Sequence, residues 1–181
     1  MIKKPTVFIL GAGASNPYGF PTGLGLSQSI IANLRPLSPN ESRGKDDWVP
    51  FLEKNFEITT EVMHSFAQEL HYSRISVDAF LEHRPEYLQI GKLSIAMCLM
   101  AHEYEEKLFN AQRNWFDYLR LKLNAPFEEF GDNQLSIITF NYDRSIEQYL
   151  FMVLKHTYGK TTEQCAEQIN INPANNYSTL K

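Results

Sequence analysis

The chain has 181 residues, 43% of them apolar and 21% charged, which is the size and balance of one globular domain and excludes a disordered tail. A net charge of −4 argues against a nucleic-acid module, whose phosphate contacts need a basic face. Cys98 and Cys165 are the only cysteines, too few for a four-cysteine zinc ribbon or a disulfide framework and suited to a reducing compartment.

Lys3-Lys4 ahead of Val7-Phe8-Ile9-Leu10 imitates a secretory signal, but glycines cut the apolar stretch short. The longest apolar runs, Ser94 to Ala101 and Tyr149 to Leu154, fall well below the ~20 residues of a membrane span. The chain therefore reads as soluble and cytoplasmic, with no membrane partner.

Thr6 to Leu10 is a short β-branched run that stops at Gly11, the pattern of a strand buried on both faces. A turn, Gly11-Ala12-Gly13-Ala14-Ser15, follows. A helix is expected from about Thr22 to Leu34, then a loop to Pro50 punctuated by Pro36, Pro39 and Gly44. Between 51 and about 125 the pattern is helical. One helix carries Val62, Phe66 and Leu70. A second, from Pro85 to Phe109, carries Ile90, Leu93, Met97, Met100, Tyr104 and Leu108, and a third carries Trp115, Tyr118, Leu119 and Leu123. These aromatic and Met positions read as core packing.

Leu135 to Phe140 is a second buried strand, ending at Asn141-Tyr142-Asp143. Asp143 suits an N-cap, and Ile146, Tyr149, Leu150, Val153 and Leu154 form the apolar stripe of the next helix, which Gly159 closes. Ile169 to Ile171 is a further candidate strand, and Asn172 to Asn176 is loop-like. Two strand–turn–helix units around a helical insertion predict an α/β fold. The two strands should lie adjacent and parallel, bringing the Gly11 turn and Asn141 to one cleft. Two or three strands make a poor parallel sheet, so either the chain is C-terminally incomplete or later strands come from elsewhere.

Two segments carry candidate chemistry. A strand ending in Gly11-Ala12-Gly13-Ala14-Ser15 and feeding a helix lets backbone N–H groups approach a pyrophosphate. The plainer alternative is a tight strand-to-helix connection, since Asn16 stands where the dehydrogenase fingerprint has its third glycine. Thr139-Phe140-Asn141-Tyr142-Asp143 ends the other strand, where open α/β sheets place their ligands. Asn141 can donate and accept, and Asp143 can bind a carboxamide or a ribose hydroxyl or simply cap the helix.

Together these segments resemble the sirtuin-like (SIR2-like) NAD-binding family. Gly11-Ala12-Gly13-Ala14-Ser15 with Gly19-Phe20-Pro21 is similar to the family's glycine turn and its Gly-apolar-Pro sequel. Thr139 to Asp143 is similar to its Thr-x-Asn-apolar-Asp motif, and Ser76 to Leu81 to a stretch of the bacterial branch. The resemblance spans residues 6 to about 158. It implies a Rossmann-like parallel sheet of the DHS-like NAD/FAD-binding type with a large helical insertion. The whole chain would then be one SIR2-like domain, with residues 1–34 and 132–181 as nucleotide-binding core and 51–125 as insertion. It also implies binding of NAD+ without a metal and cleavage of the nicotinamide–ribose bond. By position, the backbone of Ala12 to Ser15 would hold the phosphates, Asn141 would sit beside the nicotinamide ribose, and Asp143 near the carboxamide, with Gly11, Pro21 and Thr139 in the matched motifs.

Departures from the family redirect the reading. Thr22-Gly23-Leu24 replaces the Asp-Phe-Arg of protein deacetylases, Phe140 replaces the Gln before Asn, and the zinc cysteines are missing. These favour the NAD+-hydrolysing branch, many of whose members act in bacterial antiphage defence, as homo-oligomers or in larger complexes. The family's catalytic His has no match, and His156, near the end of a helix, reads as a helix-terminal residue. The alternative is therefore a non-catalytic nucleotide-sensing or assembly module.

Overall fold

The computed structural model describes residues 1–42, 47–112, 114–172 and 177–180. The chain divides into two compact units, one of residues 1–20 and 104–181 and one of 21–103. The loop reading at Asn172–Asn176 falls, beyond Asn172, outside the described residues.

The first unit is an α/β layer. Strand β1 (Thr6–Leu10) pairs in parallel with β2 (Leu135–Thr139), Leu10 opposite Thr139. On the other side of β2 lie β4 (Tyr177–Leu180) and then β3 (Ile169–Asn172), both antiparallel to their neighbours. The parallel arrangement expected from the sequence therefore holds for β1 and β2, while the sheet as a whole is mixed. β3 and β4 meet as consecutive strands, which need no crossover helix and so run antiparallel.

Burial on both faces does not hold for either strand. Along β1, Val7 is 58% and Ile9 69% exposed; along β2, Leu135 and Ile137 are buried while Ile138 points outward. The alternation is that of a sheet with one covered face. Helix α8 (Ser145–Tyr158), which follows β2, buries Ile146, Tyr149, Leu150 and Leu154 and leaves Val153 half-buried. Gly159 ends it with φ +60°, a left-handed conformation that favours glycine. Helix α7 (Trp115–Leu123) buries Phe116, Leu119 and Leu123, whereas Tyr118 is exposed. Helix α9 (Thr162–Gln168), absent from the sequence reading, opens on a capping box in which Thr161 and Gln164 satisfy each other's backbone N–H groups.

The second unit is helical. It holds α1 (Gly23–Leu34), α2 (Trp48–Phe56), α3 (Thr60–Ser73), α4 (Val77–His83) and α5 (Leu88–Met100). Its core gathers Leu26, Ile30, Leu34, Leu52, Phe66, Leu70, Phe80 and Ile90. In α3 the buried stripe is Met63, Phe66, Ala67 and Leu70, so Val62 falls outside it. The long helix expected from Pro85 to Phe109 is a 3-10 turn at Pro85–Tyr87, then α5, then α6 (Glu105–Asn110), which belongs to the first unit. Met100 and Tyr104 are 67% and 60% exposed, so no apolar stripe carries a helix across 101–104.

The units divide the chain differently from the sequence reading. Helix α1 shares its buried face with α3 in the helical unit, and α6 and α7 fall in the unit that holds the sheet. No helix among the described residues is long and apolar enough to cross a membrane.

Candidate functional site

The parallel register brings the two sequence motifs together. Leu10 and Thr139 are opposite, and Phe140 N–H donates to the Leu10 carbonyl at 3.0 Å. Both strands thus end at one level, and the chain after each turns into the same space.

After β1, Ala12–Ala14 and Asn16–Tyr18 form two 3-10 turns. The N–H groups of Ala14 and Ser15 are spent inside the first, donating to Gly11 O at 2.8 Å and Ala12 O at 3.3 Å. Those of Ala12 and Gly13, at its start, have no partner inside a helical turn. Gly19 closes the second turn at φ +94°, so its backbone requires glycine. Gly11 and Gly13 have no such need. Gly11 is extended, neither has positive φ, and a Cβ at either position meets no protein atom within 4 Å. Nothing in the fold excludes a side chain there, so the two glycines leave a surface of bare backbone.

The second motif supplies a fixed polar group. Asp143 is 9% exposed, and its Oδ1 accepts from Ser15 Oγ at 2.9 Å, from Ser145 N–H at 3.0 Å and from the Ser145 hydroxyl. A carboxylate only accepts, so Ser15 spends its proton on Asp143 and offers a lone pair in return. Asn141 answers with Nδ2, donating to Ser15 Oγ at 2.9 Å. That assignment fixes the amide: Asn141 Oδ1 faces the other way, buried and without a partner. The Asn141 N–H donates to Thr139 Oγ1 at 3.0 Å, which shapes the turn.

Five of the positions singled out in the sequence, Ser15, Thr139, Asn141 and Asp143 with the turn at Gly13, therefore share one locale. Asp143 caps α8 from one residue before the N-cap position, which Arg144 occupies. The capping reading of Asp143 holds: Oδ1 fixes the helix start and Ser15, and Oδ2 carries none of those bonds. Pro21 lies in the helical unit, immediately before Thr22, whose side chain caps α1. His156 is eleven residues beyond Ser145 on α8, about 16 Å along the axis at ~1.5 Å per residue. It lines a separate groove with Glu105, Asp117, Arg120 and Tyr149.

The sequence reading missed the brace behind the turn. Trp115 Nε1 donates to Ala14 O at 2.9 Å. The Tyr18 hydroxyl donates to Asn114 Oδ1 at 2.9 Å and accepts from Phe116 N–H at 3.0 Å, its ring stacked on Phe116 at 4.1 Å. Burial pushes the Tyr18 hydroxyl up to about 12, so it stays a donor. Aromatic residues at the start of a helix carry no sequence signal for this role.

A dinucleotide fits these residues on two counts. Bare backbone at Gly11 and Gly13 admits a phosphate, and the orphaned Asn141 oxygen awaits a donor such as a ribose hydroxyl. Among the described residues no three His, Cys, Asp or Glu side chains are grouped to hold a metal ion. Compared with known protein families, characterised proteins and solved structures, the chain matches none.

Proposed function

We propose that this chain is a Rossmann-like, SIR2-like domain that binds NAD+ and hydrolyses its nicotinamide–ribose bond. The observation that carries the reading is the Asn141 amide, locked by Ser15 and Asp143 with a buried acceptor left over beside a glycine turn that the fold itself does not require.

On this reading the N–H groups of Ala12 and Gly13 take the pyrophosphate. Asn141 Oδ1 accepts from a hydroxyl of the nicotinamide ribose, and Asp143 Oδ2 faces the carboxamide. NAD+ supplies the chemistry through its labile bond to nicotinamide. Water replaces nicotinamide at the ribose carbon and yields ADP-ribose, nicotinamide and a proton. The chain's part is to hold the ribose in one orientation, and preset dipoles stabilise charge that develops there more strongly than water does.

One observation favours binding without turnover as the second reading. His156, the histidine singled out in the sequence, lies about 16 Å along α8 from Ser145 and so far from the Ser15–Asn141–Asp143 cluster. Incubation with NAD+ and chromatographic detection of nicotinamide separates the two. Hydrolysis predicts nicotinamide release that falls about 100-fold or more in Asn141→Ala. Retention of intact NAD+ by the wild type supports the sensing module.

A further inference from the structure

We propose that Trp115, which lies outside both sequence motifs, is a positioning residue for the nucleotide site: its indole N–H sets the Ala14–Ser15 peptide and, through Ser15, the direction in which the Asn141 amide faces. The functional part of this inference rests on the NAD+ reading above.

The Ala14 carbonyl and the Ser15 N–H belong to one rigid peptide plane. Trp115 Nε1 holds the carbonyl end at 2.9 Å, whereas the N–H end makes only a longer 3.3 Å bond to Ala12 O. The indole bond is therefore the firmer restraint on that plane. Ser15 Cα lies in that same plane, so the plane's tilt decides where Ser15 Oγ lies. That oxygen meets Asp143 Oδ1 and Asn141 Nδ2, each at 2.9 Å. Bonds of this kind weaken steeply with misalignment, so a tilted plane releases the amide. Asn141 Oδ1, otherwise aimed at the ligand, is then free to exchange places with Nδ2.

The far end of the lever is firm as well. Trp115 is the first residue of α7, and Asn114 caps that helix by accepting from Asp117 N–H at 3.3 Å. Asn114 Nδ2 also donates to Leu108 O at 3.0 Å, tying the helix start to α6. Tyr18 adds a second grip on the same segment through its hydroxyl, four residues beyond Ala14; its bond to Ser15 runs from the backbone N–H to Ser15 O at 3.1 Å and does not involve that hydroxyl.

The test is Trp115→Phe, which keeps an aromatic ring and deletes the N–H, with Tyr18→Phe as the comparison that removes the hydroxyl's bonds to Asn114 and Phe116 and keeps the indole N–H. The side-chain amide resonances of Asn141, identified by their loss in Asn141→Ala, are followed in ligand-free protein. They should move or broaden in Trp115→Phe as they do in Ser15→Ala, and stay in place in Tyr18→Phe. The dissociation constant for NAD+ should rise about five-fold in Trp115→Phe, as for loss of one hydrogen bond. Unmoved Asn141 resonances in Trp115→Phe, or equal movement in Tyr18→Phe, overturn the inference. Absence of NAD+ binding by the wild type overturns the functional reading, while the amide resonances still report the mechanical link. Should Trp115→Phe not fold, hydrogen exchange of the wild-type indole N–H decides: slow exchange, slowed further by NAD+, is expected, and exchange at the free-indole rate contradicts the bond.

Discussion

The Asn141 side-chain amide donates to Ser15 Oγ across 2.9 Å, joining residues 126 positions apart in the chain. This bond, with the one from Ser15 to Asp143, ties the end of β2 to the turn after β1. Ser15→Ala removes both at once and leaves the Asn141 amide without an acceptor. Loss of stability by about 1–3 kcal/mol is expected, from an unsatisfied buried donor. Urea unfolding measures it, and the loss should be smaller in Asn141→Ala, which removes the orphan along with the bond.

Gly13→Val should leave the fold intact. The added side chain meets no protein atom within 4 Å, and the backbone there does not have positive φ. Stability should stay within about 0.5 kcal/mol of the wild type by urea unfolding, as for surface substitutions generally. A larger loss would assign the glycine to the turn itself.

In the helical unit, Phe66 is fully buried, its ring 5.4 Å from that of Tyr87 and 5.9 Å from that of Phe80. Phe66→Ala should cost about 3–5 kcal/mol through lost burial and the cavity left behind. A shift of the urea transition to lower concentration reads this directly.

The capping box of α9 gives a smaller effect. Thr161→Ala deletes the acceptor for Gln164 N–H and should cost about 1 kcal/mol. The loss of melting temperature should be partial in Thr161→Ser, which keeps the oxygen.

Much of this arrangement was legible in the sequence because local chemistry announces it. Abrupt glycines after an apolar run marked the end of β1, and Asn141-Tyr142-Asp143 marked the end of β2; both strands stand at the positions read from them, β2 ending one residue sooner. The pairing of the two strands followed from their matching ends. What the sequence hid were features that depend on which face is covered. Val7 and Ile9 look like core residues until the strand is seen with only one packed face. The same holds for Val62, Tyr118 and Tyr104, whose spacing fits a helix stripe but whose side chains point outward. Helix α9 did carry a signal, Thr161 three residues before Gln164, which is the spacing of a capping box. The Trp115 contact with Ala14 spans 101 positions and obeys no spacing rule, so only the fold reveals it.

His156 supplies a check on the location of the chemistry. It sits at the far end of α8 in the groove with Asp117 and Tyr149, so His156→Ala should leave NAD+ affinity and any nicotinamide release unchanged. Loss of either in chromatographic and calorimetric assays would move the site along the helix.

Calorimetric titration of NAD+ into the wild type and Gly13→Val tests the central claim most directly. Saturable one-site binding by the wild type, abolished in the folded Gly13→Val protein, is the predicted result. No heat from the wild type at millimolar NAD+, or the same affinity in both proteins, would contradict it.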